Sequence, residues 1–189
     1  MTAPRAIVIG CSAGGMRALK DLLSGMRPDI GAPVLAVCHT GSEDVSTLCD
    51  LIGATSTLPV REARERHPAR DNTVYVAPGG YHLLIERGGR MTLSVDDRVA
   101  FARPSIDVLF ESAADVYGHE LAGIVLTGAN HDGAHGLLRI RQRRGIAIVQ
   151  EPLDAEAPAM PQAALDLAGA DHCLPLRGIA PLLNRLCER

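Results

Sequence analysis

Short runs of apolar, mostly β-branched residues recur along the chain, and helical patterns separate many of them. This alternation is typical of a parallel sheet whose strands are joined by crossover helices. The sequence therefore predicts an α/β protein with a doubly wound, mainly parallel sheet flanked by helices. The predicted strands are Ala6–Ile9, Val34–Val37, Val74–Ala77, Gly123–Leu126 and Ile146–Val149, and the predicted helices include Met16–Leu23, Pro104–Tyr117, Gly133–Arg144 and Ile179–Leu186.

Two stretches depart from this alternation. Tyr81–Glu86 and Met91–Val95 flank the glycine-containing turn Arg87–Arg90, a pattern that predicts an antiparallel hairpin beside the main sheet. The segment Glu151–Pro161 is rich in proline, glutamate and alanine, and it is predicted to be an ordered loop before a helix at Gln162–Leu167.

Length and composition exclude several classes of protein. A chain of 189 residues that is 47% hydrophobic suits one domain with a substantial core, so residues 1–189 are predicted to form a single domain. A net charge of −3 is unlike the strongly basic profile of a nucleic-acid-binding protein. No apolar run is long enough to cross a bilayer, and the first residues do not resemble a signal peptide. We therefore expect a cytoplasmic protein with no nucleic-acid partner and no membrane insertion.

The segment Gly10–Gly15 lies between the first predicted strand and the first predicted helix. Its glycines allow a sharp turn that would expose the Ser12 hydroxyl above the sheet, with backbone N–H groups at a helix N-terminus beside it. The segment also resembles the dinucleotide-binding fingerprint, but Ser12 replaces the middle glycine that lets a pyrophosphate approach the backbone. A purely structural tight turn remains an alternative to a nucleophile.

His39 and Asp132 both follow predicted strands. Ligands of open parallel sheets bind beyond the carboxyl ends of the strands, so these two side chains and Ser12 can reach one crevice. We predict acyl transfer with Ser12 as nucleophile, His39 as base and Asp132 as the group that orients the imidazole. Taken alone, a histidine after a strand is more often structural, and an aspartate before glycine more often caps a helix or forms a turn.

The metal-ligating residue types do not form a recognisable site. His131 and His135 flank Asp132, but glycines interrupt the helical face between them and no zinc-peptidase glutamate follows. The five cysteines contain no Cys-x-x-Cys pair, which argues against a disulfide framework and a structural zinc site. We predict no bound metal and no organic cofactor. Cys11 and Cys38 adjoin the candidate nucleophile and base, where burial is expected and a cysteine nucleophile is the lesser alternative.

Several motifs match one family from about Ala6 to about Leu183. They resemble the catalytic domain of the chemotaxis protein-glutamate methylesterases. That resemblance implies a Ser-His-Asp triad at Ser12, His39 and Asp132, acting on a glutamate methyl ester in the helical cytoplasmic part of a chemoreceptor; some members also deamidate glutamine. The matching motifs are Ile9–Gly15, His39, Leu58–Ala63, Val74–Gly79, Arg103–Phe110, Leu126–Gly128 with Asp132-Gly133, and Met160-Pro161.

The chain departs from the family pattern near the expected substrate groove. It has His39-Thr40-Gly41 in place of His-Met-Pro, Ala129–Gly133 reads Ala-Asn-His-Asp-Gly in place of Met-Gly-Asn-Asp-Gly, and Ala102 stands where many relatives have histidine. These changes leave the three catalytic candidates intact but affect which ester fits. Family members usually carry an N-terminal receiver domain and a linker, which are absent here, so the resemblance implies a stand-alone catalytic domain.

Three further site residues follow from the same reasoning. The backbone N–H groups of Ala13 and Ala129 are candidates for an oxyanion hole. The Arg103 guanidinium is a candidate for binding substrate, because it can hold a carbonyl or carboxylate with two parallel hydrogen bonds.

The predicted function is hydrolysis of glutamate methyl esters, with glutamine deamidation as in some relatives. The predicted partners are the cytoplasmic helices of a chemoreceptor or a similar methylated protein. Two alternatives stay open: a catalytically idle binding module of the same fold, and an esterase or amidase for small molecules.

Overall fold

The computed structural model describes residues 3–40 and 44–188 and contains a seven-stranded sheet in which all neighbouring strands are parallel. The strand order is β3-β4-β2-β1-β7-β8-β9, and β5 and β6 form a separate antiparallel sheet. The strands are β1 (Ala6–Cys11), β2 (Val34–Cys38), β3 (Val60–Glu62), β4 (Val74–Val76), β5 (His82–Glu86), β6 (Arg90–Ser94), β7 (Leu121–Val125), β8 (Ile146–Gln150) and β9 (His172–Leu174). The helices are α1 (Gly15–Ser24), α2 (Ser46–Gly53), α3 (Ile106–Tyr117), α4 (Ala134–Gln142), α5 (Ala159–Ala168) and α6 (Leu176–Leu186).

Helices cover both faces of the sheet. Ile7 and Ile9 of β1 belong to a core cluster with residues of α1, α2 and α6, whereas Val8 belongs to a second cluster with residues of α3, α4 and α5. This division follows from the alternation of side chains along a strand, because successive residues point to opposite faces. The predicted α/β class and the doubly wound parallel sheet are confirmed, and so is the antiparallel hairpin.

The sheet order reverses at β1, since the chain passes to β2 on one side and later returns to β7 on the other. Crevices at such reversal points are the usual ligand sites of open α/β sheets. Gly10, near the end of β1, lets α3 come close to this point. A Cβ atom at Gly10 would lie 2.3 Å from Cγ2 of Ile106, the first residue of α3.

Helix boundaries differ from the predicted ones for local reasons. The predicted helix at Pro104–Tyr117 begins at Ile106, because Ser105 is extended and its hydroxyl accepts a hydrogen bond from Val108 N. The loop predicted at Glu151–Pro161 ends early, since α5 begins at Ala159 and places Pro161 in its first turn, where no amide donor is needed.

The short elements at the edges of the sheet were not predicted. Strands β3 and β9 have three residues each, and all six of these residues are exposed or half-buried. Their sequences lack the apolar pattern of a buried strand, because they are stabilised by pairing with a neighbouring strand rather than by burial. Among the helices of the described residues, none is long and apolar enough to cross a membrane.

Candidate active site

Ser12 and His39 are the first residues after two paired strand ends. Cys11 of β1 and Cys38 of β2 are partners in the parallel register, and His39 N donates a hydrogen bond to Cys11 O at 3.0 Å. On the other side of β1, Ser12 N donates to Thr127 O at 3.0 Å, which continues the pairing with β7. The sheet therefore holds both backbones at its carboxyl edge.

A cavity of about 600 Å³ opens at this edge. Ser12, His39, Arg103 and Asn130 contribute to its wall. Asp132 lies behind the wall: its side chain is 0% exposed, whereas the side chain of His39 is 15% exposed. Ser12 and His39 thus share one solvent-accessible space, with Asp132 buried on the protein side of His39.

His39 Nε2 lies 3.1 Å from Asp132 Oδ2. This atom of the imidazole is buried, and its N–H direction misses regular hydrogen-bond alignment, so proximity rather than ideal geometry defines the contact. On the opposite side of the ring, Nδ1 lies 3.3 Å from Asn130 Nδ2. An Asn130 amide that donates to Nδ1 fits the tautomer with the proton on Nε2, facing the carboxylate.

Asp132 also accepts hydrogen bonds from the N-terminus of α3. Oδ1 accepts from Ser105 Oγ at 2.8 Å and from Asp107 N at 2.9 Å, while Oδ2 accepts from Ile106 N at 2.7 Å. Burial acts to raise the pKa of Asp132, but the His39 imidazole at 3.1 Å and the hydrogen bonds from these α3 donors outweigh it and lower that pKa below its usual value. The carboxylate beside His39 is therefore held in its charged form.

Asp107 makes the reciprocal connection from α3 to α4. Its Oδ1 accepts from Gly133 N at 2.9 Å and from Gly136 N at 2.6 Å. Burial raises the pKa of Asp107 to about 6, against the opposing effect of the Gly136 hydrogen bond. Asp107 lies in the first turn of α3, and nothing in its own segment of the sequence indicates this second contact.

Arg103 contributes to the cavity wall and also braces the preceding loop. Its Nη1 donates to Val95 O at 2.7 Å and to Asp96 O at 3.1 Å. Its Nε is buried and has no hydrogen-bond partner within residues 3–40 and 44–188. Phe101 lies on the same wall and is 91% exposed, which is unusual for an aromatic side chain beside a cavity.

The two candidate oxyanion donors flank the serine turn. In the described part of the chain, neither Ala13 N nor Ala129 N donates a hydrogen bond. Thr127 Oγ1 donates to Ala13 O at 2.9 Å, which ties the segment after β7 to the turn after β1. Of the residues that depart from the family pattern, Thr40, Ala102 and Asn130 line the cavity, and Gly41 lies outside the described residues.

Asn130 is the site residue that sequence reasoning missed as a contributor. It was noted as a departure from the family pattern, without a role. Besides its contact with His39, its Oδ1 accepts a hydrogen bond from Asp132 N at 3.0 Å. A single asparagine therefore contacts both the imidazole and the backbone of its carboxylate partner.

No metal-ligating cluster occurs in the described residues: no three side chains of histidine, cysteine, aspartate or glutamate are grouped to hold an ion. His131 and His135 are exposed, on either side of the buried Asp132.

Comparison with known proteins gives a consistent result. A family model described as CheB methylesterase matches residues 7–183. A Leptospira interrogans protein, provisionally named protein-glutamate methylesterase/protein-glutamine glutaminase, is 44% identical over 181 residues, covering 96% of this chain and 94% of the relative. A Symbiobacterium thermophilum protein of the same name is 36% identical over 181 residues, and there the match covers 96% of this chain but 50% of the relative.

A solved structure is also similar. The crystal structure of the Thermotoga maritima CheB methylesterase catalytic domain matches with a TM-score of 0.93 and 28% sequence identity. The match covers 98% of this chain and 100% of that one.

Proposed function

The chain belongs to the CheB methylesterase family, and from this premise we propose that it hydrolyses glutamate methyl esters on chemoreceptor-type proteins through Ser12, His39 and Asp132. The observation that carries the proposal is the 3.1 Å contact between His39 Nε2 and Asp132 Oδ2, on a histidine that shares a cavity with Ser12. A buried, charged carboxylate behind an imidazole beside an accessible serine is the arrangement that acyl transfer requires.

The first half of the reaction forms an acyl-enzyme. Because Nε2 of His39 faces Asp132, Nδ1 is the ring nitrogen that accepts the Ser12 proton as Oγ attacks the ester carbonyl. The Asn130 amide must yield this position when the proton arrives, since it contacts Nδ1 at 3.3 Å. The amides of Ala13 and Ala129 stabilise the oxyanion. The imidazolium then protonates the methoxide, and methanol leaves.

The second half restores the enzyme. His39 removes a proton from water, the water attacks the acyl carbon, and collapse of the second tetrahedral intermediate returns the proton to Ser12 and releases the glutamate carboxylate. Asp132 stabilises the imidazolium in both halves without taking up a proton, because its own pKa is lowered. With a glutamine substrate the same steps release ammonia in place of methanol.

The rim of the cavity supports a macromolecular substrate. Phe101 is 91% exposed and lines the cavity together with Arg98 and Arg103. An exposed aromatic group among cations suits a helix that presents apolar and acidic side chains together. We propose the methylated cytoplasmic helices of a chemoreceptor, or of a similar methylated protein, as this substrate.

Methanol release from methylated receptor fragments tests the proposal. Ser12→Ala is expected to lower the rate by about 10³-fold or more, because it removes the attacking atom. Ser24→Ala is a matched control, since that serine is exposed and its hydroxyl donates to Asp21 O of its own helix. Equal, measurable methanol release by both folded proteins would contradict Ser12 as the nucleophile. No release above background by either protein, with folding checked by thermal melting, would favour the idle binding module instead.

The altered cavity residues favour one second candidate, a small-molecule esterase or amidase. Thr40, Ala102 and Asn130 differ from the family pattern and line the cavity. The same assay with small neutral esters and amides separates the two functions. A kcat/KM for small esters that exceeds the value for receptor fragments would support the second candidate and contradict the first.

A further inference from the structure

We propose that Cys11 and Cys38 form an oxidisable dithiol at the cavity, in which a hydroperoxide oxidises Cys38 and the Cys11 thiol then closes a disulfide beneath Ser12 and His39. The disulfide follows from the geometry of the two cysteines and stands without the proposed function. The expected loss of esterase activity rests on the proposed function.

The two cysteines are placed for a covalent bond. They are partners in the parallel register of β1 and β2, and neighbouring strands lie about 4.8 Å apart, within the roughly 4.4–6.8 Å range of Cα separations in disulfides. Both side chains belong to the core cluster on the α1 side of the sheet. A Cβ atom at Gly15 would lie 2.7 Å from Cys11 Sγ and 3.5 Å from Cys38 Sγ. Both sulfur atoms therefore lie beside Gly15.

Glycine at position 15 is therefore part of the arrangement. Gly15 is the first residue of α1, and any side chain there would occupy the space beside the two sulfur atoms. Because glycine has no side chain, the two sulfur atoms have room to rotate toward each other.

Access separates the two thiols. Cys38 lines the cavity and is 4% exposed, whereas Cys11 is 0% exposed. A small oxidant that enters the cavity meets Cys38 first. Cys11 is then the resolving thiol, reached from within the protein.

The pKa values of the two thiols also indicate that Cys38 reacts first and Cys11 second. The hydrogen bond between the two thiols lowers the pKa of Cys38 despite its burial, and the same hydrogen bond together with burial raises the pKa of Cys11. Cys49 provides a contrast, because burial raises its pKa to about 11. Thiolate is the nucleophilic form, so the cavity-facing member of the pair is the more reactive one.

The chemistry balances with one hydroperoxide for each disulfide. The Cys38 thiolate attacks the peroxide, an S–O bond forms, the O–O bond breaks, and the departing oxygen takes a proton as water or alcohol. Cys11 sulfur then attacks Cys38 sulfur, an S–S bond forms, the S–O bond breaks, and hydroxide leaves with the Cys11 proton as water. The two thiols lose two electrons, and the hydroperoxide gains them.

The disulfide is expected to affect the first residue after each strand. Sulfur atoms in a disulfide are about 2.05 Å apart, so closing the bond turns the Cys11 and Cys38 side chains toward each other and fixes the ends of β1 and β2 in one relative position. Ser12 and His39 immediately follow Cys11 and Cys38, so both move with the strand ends. A small change in their mutual geometry lowers the rate of proton transfer.

Hydrogen peroxide treatment of the full chain, followed by peptide mapping, tests the inference. We expect a linked pair of peptides containing Cys11 and Cys38, absent in Cys38→Ser and removed by dithiothreitol. Ester hydrolysis is expected to fall by about tenfold to a hundredfold on oxidation and to recover on reduction. Cys173→Ala is the matched control, because Cys173 is the exposed thiol on β9 and its loss should leave both results unchanged.

Mapping of the wild type needs no variant, so a folding defect in a cysteine variant does not affect the test. Recovery of Cys38 as a sulfinic acid with Cys11 still reduced would overturn the inference. A link from Cys38 to any other cysteine would also overturn it. If untreated protein hydrolyses no ester, the proposed function fails, but the peptide map still decides whether the disulfide forms.

Discussion

Two neighbouring helix N-termini, those of α3 and α4, are each bound by an aspartate carboxylate from the other segment. Asp132, just before α4, accepts hydrogen bonds from the start of α3, and Asp107, in the first turn of α3, accepts them from Gly133 and Gly136. Yet the pKa of Asp132 is lowered and that of Asp107 is raised to about 6. The difference shows that the number and charge of the donors, rather than burial alone, decide which carboxylate stays ionised.

The donors explain the contrast. Asp132 has partners on both oxygens and faces His39, whereas the hydrogen bonds of Asp107 both go to Oδ1. The negative charge on Asp132 also raises the pKa of Asp107, because two nearby carboxylates repel each other when both are ionised. One carboxylate is thus kept charged toward the cavity, and the other is buried between two helices.

Replacing Asp132 gives the largest expected effect on this comparison. In Asp132→Asn the amide nitrogen cannot accept hydrogen bonds, so either His39 or an α3 donor loses its partner. We expect kcat to fall by about 10³- to 10⁴-fold, as when a triad carboxylate is neutralised. We also expect unfolding free energy to fall by about 1–3 kcal/mol, because a buried donor is left unsatisfied.

Asp107→Asn is the matched control for Asp132→Asn. It keeps a side-chain oxygen for Gly133 and Gly136 and removes a charge that does not contact His39. Methanol release and thermal melting are measured on both variants. Equal losses of kcat would show that helix capping, rather than the charge beside His39, accounts for the role of Asp132.

Arg103 extends the comparison to another residue of the cavity wall. Its Nη1 braces the loop at Val95 and Asp96, while its Nε is buried without a partner among the described residues. If the guanidinium also binds substrate, Arg103→Ala lowers kcat/KM for receptor fragments by about 10- to 150-fold, corresponding to about 1.5–3 kcal/mol. Hydrolysis of a small neutral ester should change much less.

Arg185→Ala serves as the control, since Arg185 is exposed on α6 and does not line the cavity. Equal losses on the receptor fragment and the small ester in Arg103→Ala would mean that the residue only braces its loop. Its assignment to substrate binding would then be dropped.

The strand ends could be predicted because they are local features. Apolar runs that stop at Ser12 and His39 mark where buried strands leave the core, and the order of parallel strands brings such ends together. The candidate positions of the nucleophile, the base and its carboxylate could therefore be named from the sequence. Arg103 could be named as well, but not its contacts with the preceding loop.

The carboxylate exchange could not be predicted, because it depends on how closely α3 and α4 approach. A Cβ atom at Gly136 would lie 2.5 Å from Phe110 Cβ, so the missing side chain allows the contact that brings Asp107 to the α4 amides. The sequence around Asp107 and the sequence around Gly136 each contain no pattern that indicates this contact. The contact of Asn130 with His39 is of the same kind, since it joins residues 91 positions apart.

The pH dependence of stability tests the Asp107 side of the comparison. A carboxyl group whose pKa is higher in the folded state binds its proton more tightly there, so its contribution to stability is fully present below the unfolded value of about 4. It is lost as pH rises through the folded value of about 6. Asp132 has the opposite sign, because its lowered pKa stabilises the folded state above the unfolded value and that contribution is lost at lower pH.

In the wild type, ionisation of Asp107 between about pH 4 and pH 7 lowers the unfolding free energy by about 2–3 kcal/mol, as calculated from the raised pKa. Asparagine cannot ionise, so Asp107→Asn is expected to lack this decrease. Unfolding free energies from urea titrations at several pH values, for wild type and variant, measure it. The wild type should lose more stability than the variant across this range, and the two should be closest at the acidic end. Parallel curves would mean that Asp107 is charged throughout, so that its two amide donors outweigh its burial and the two helix N-termini bind their carboxylates alike.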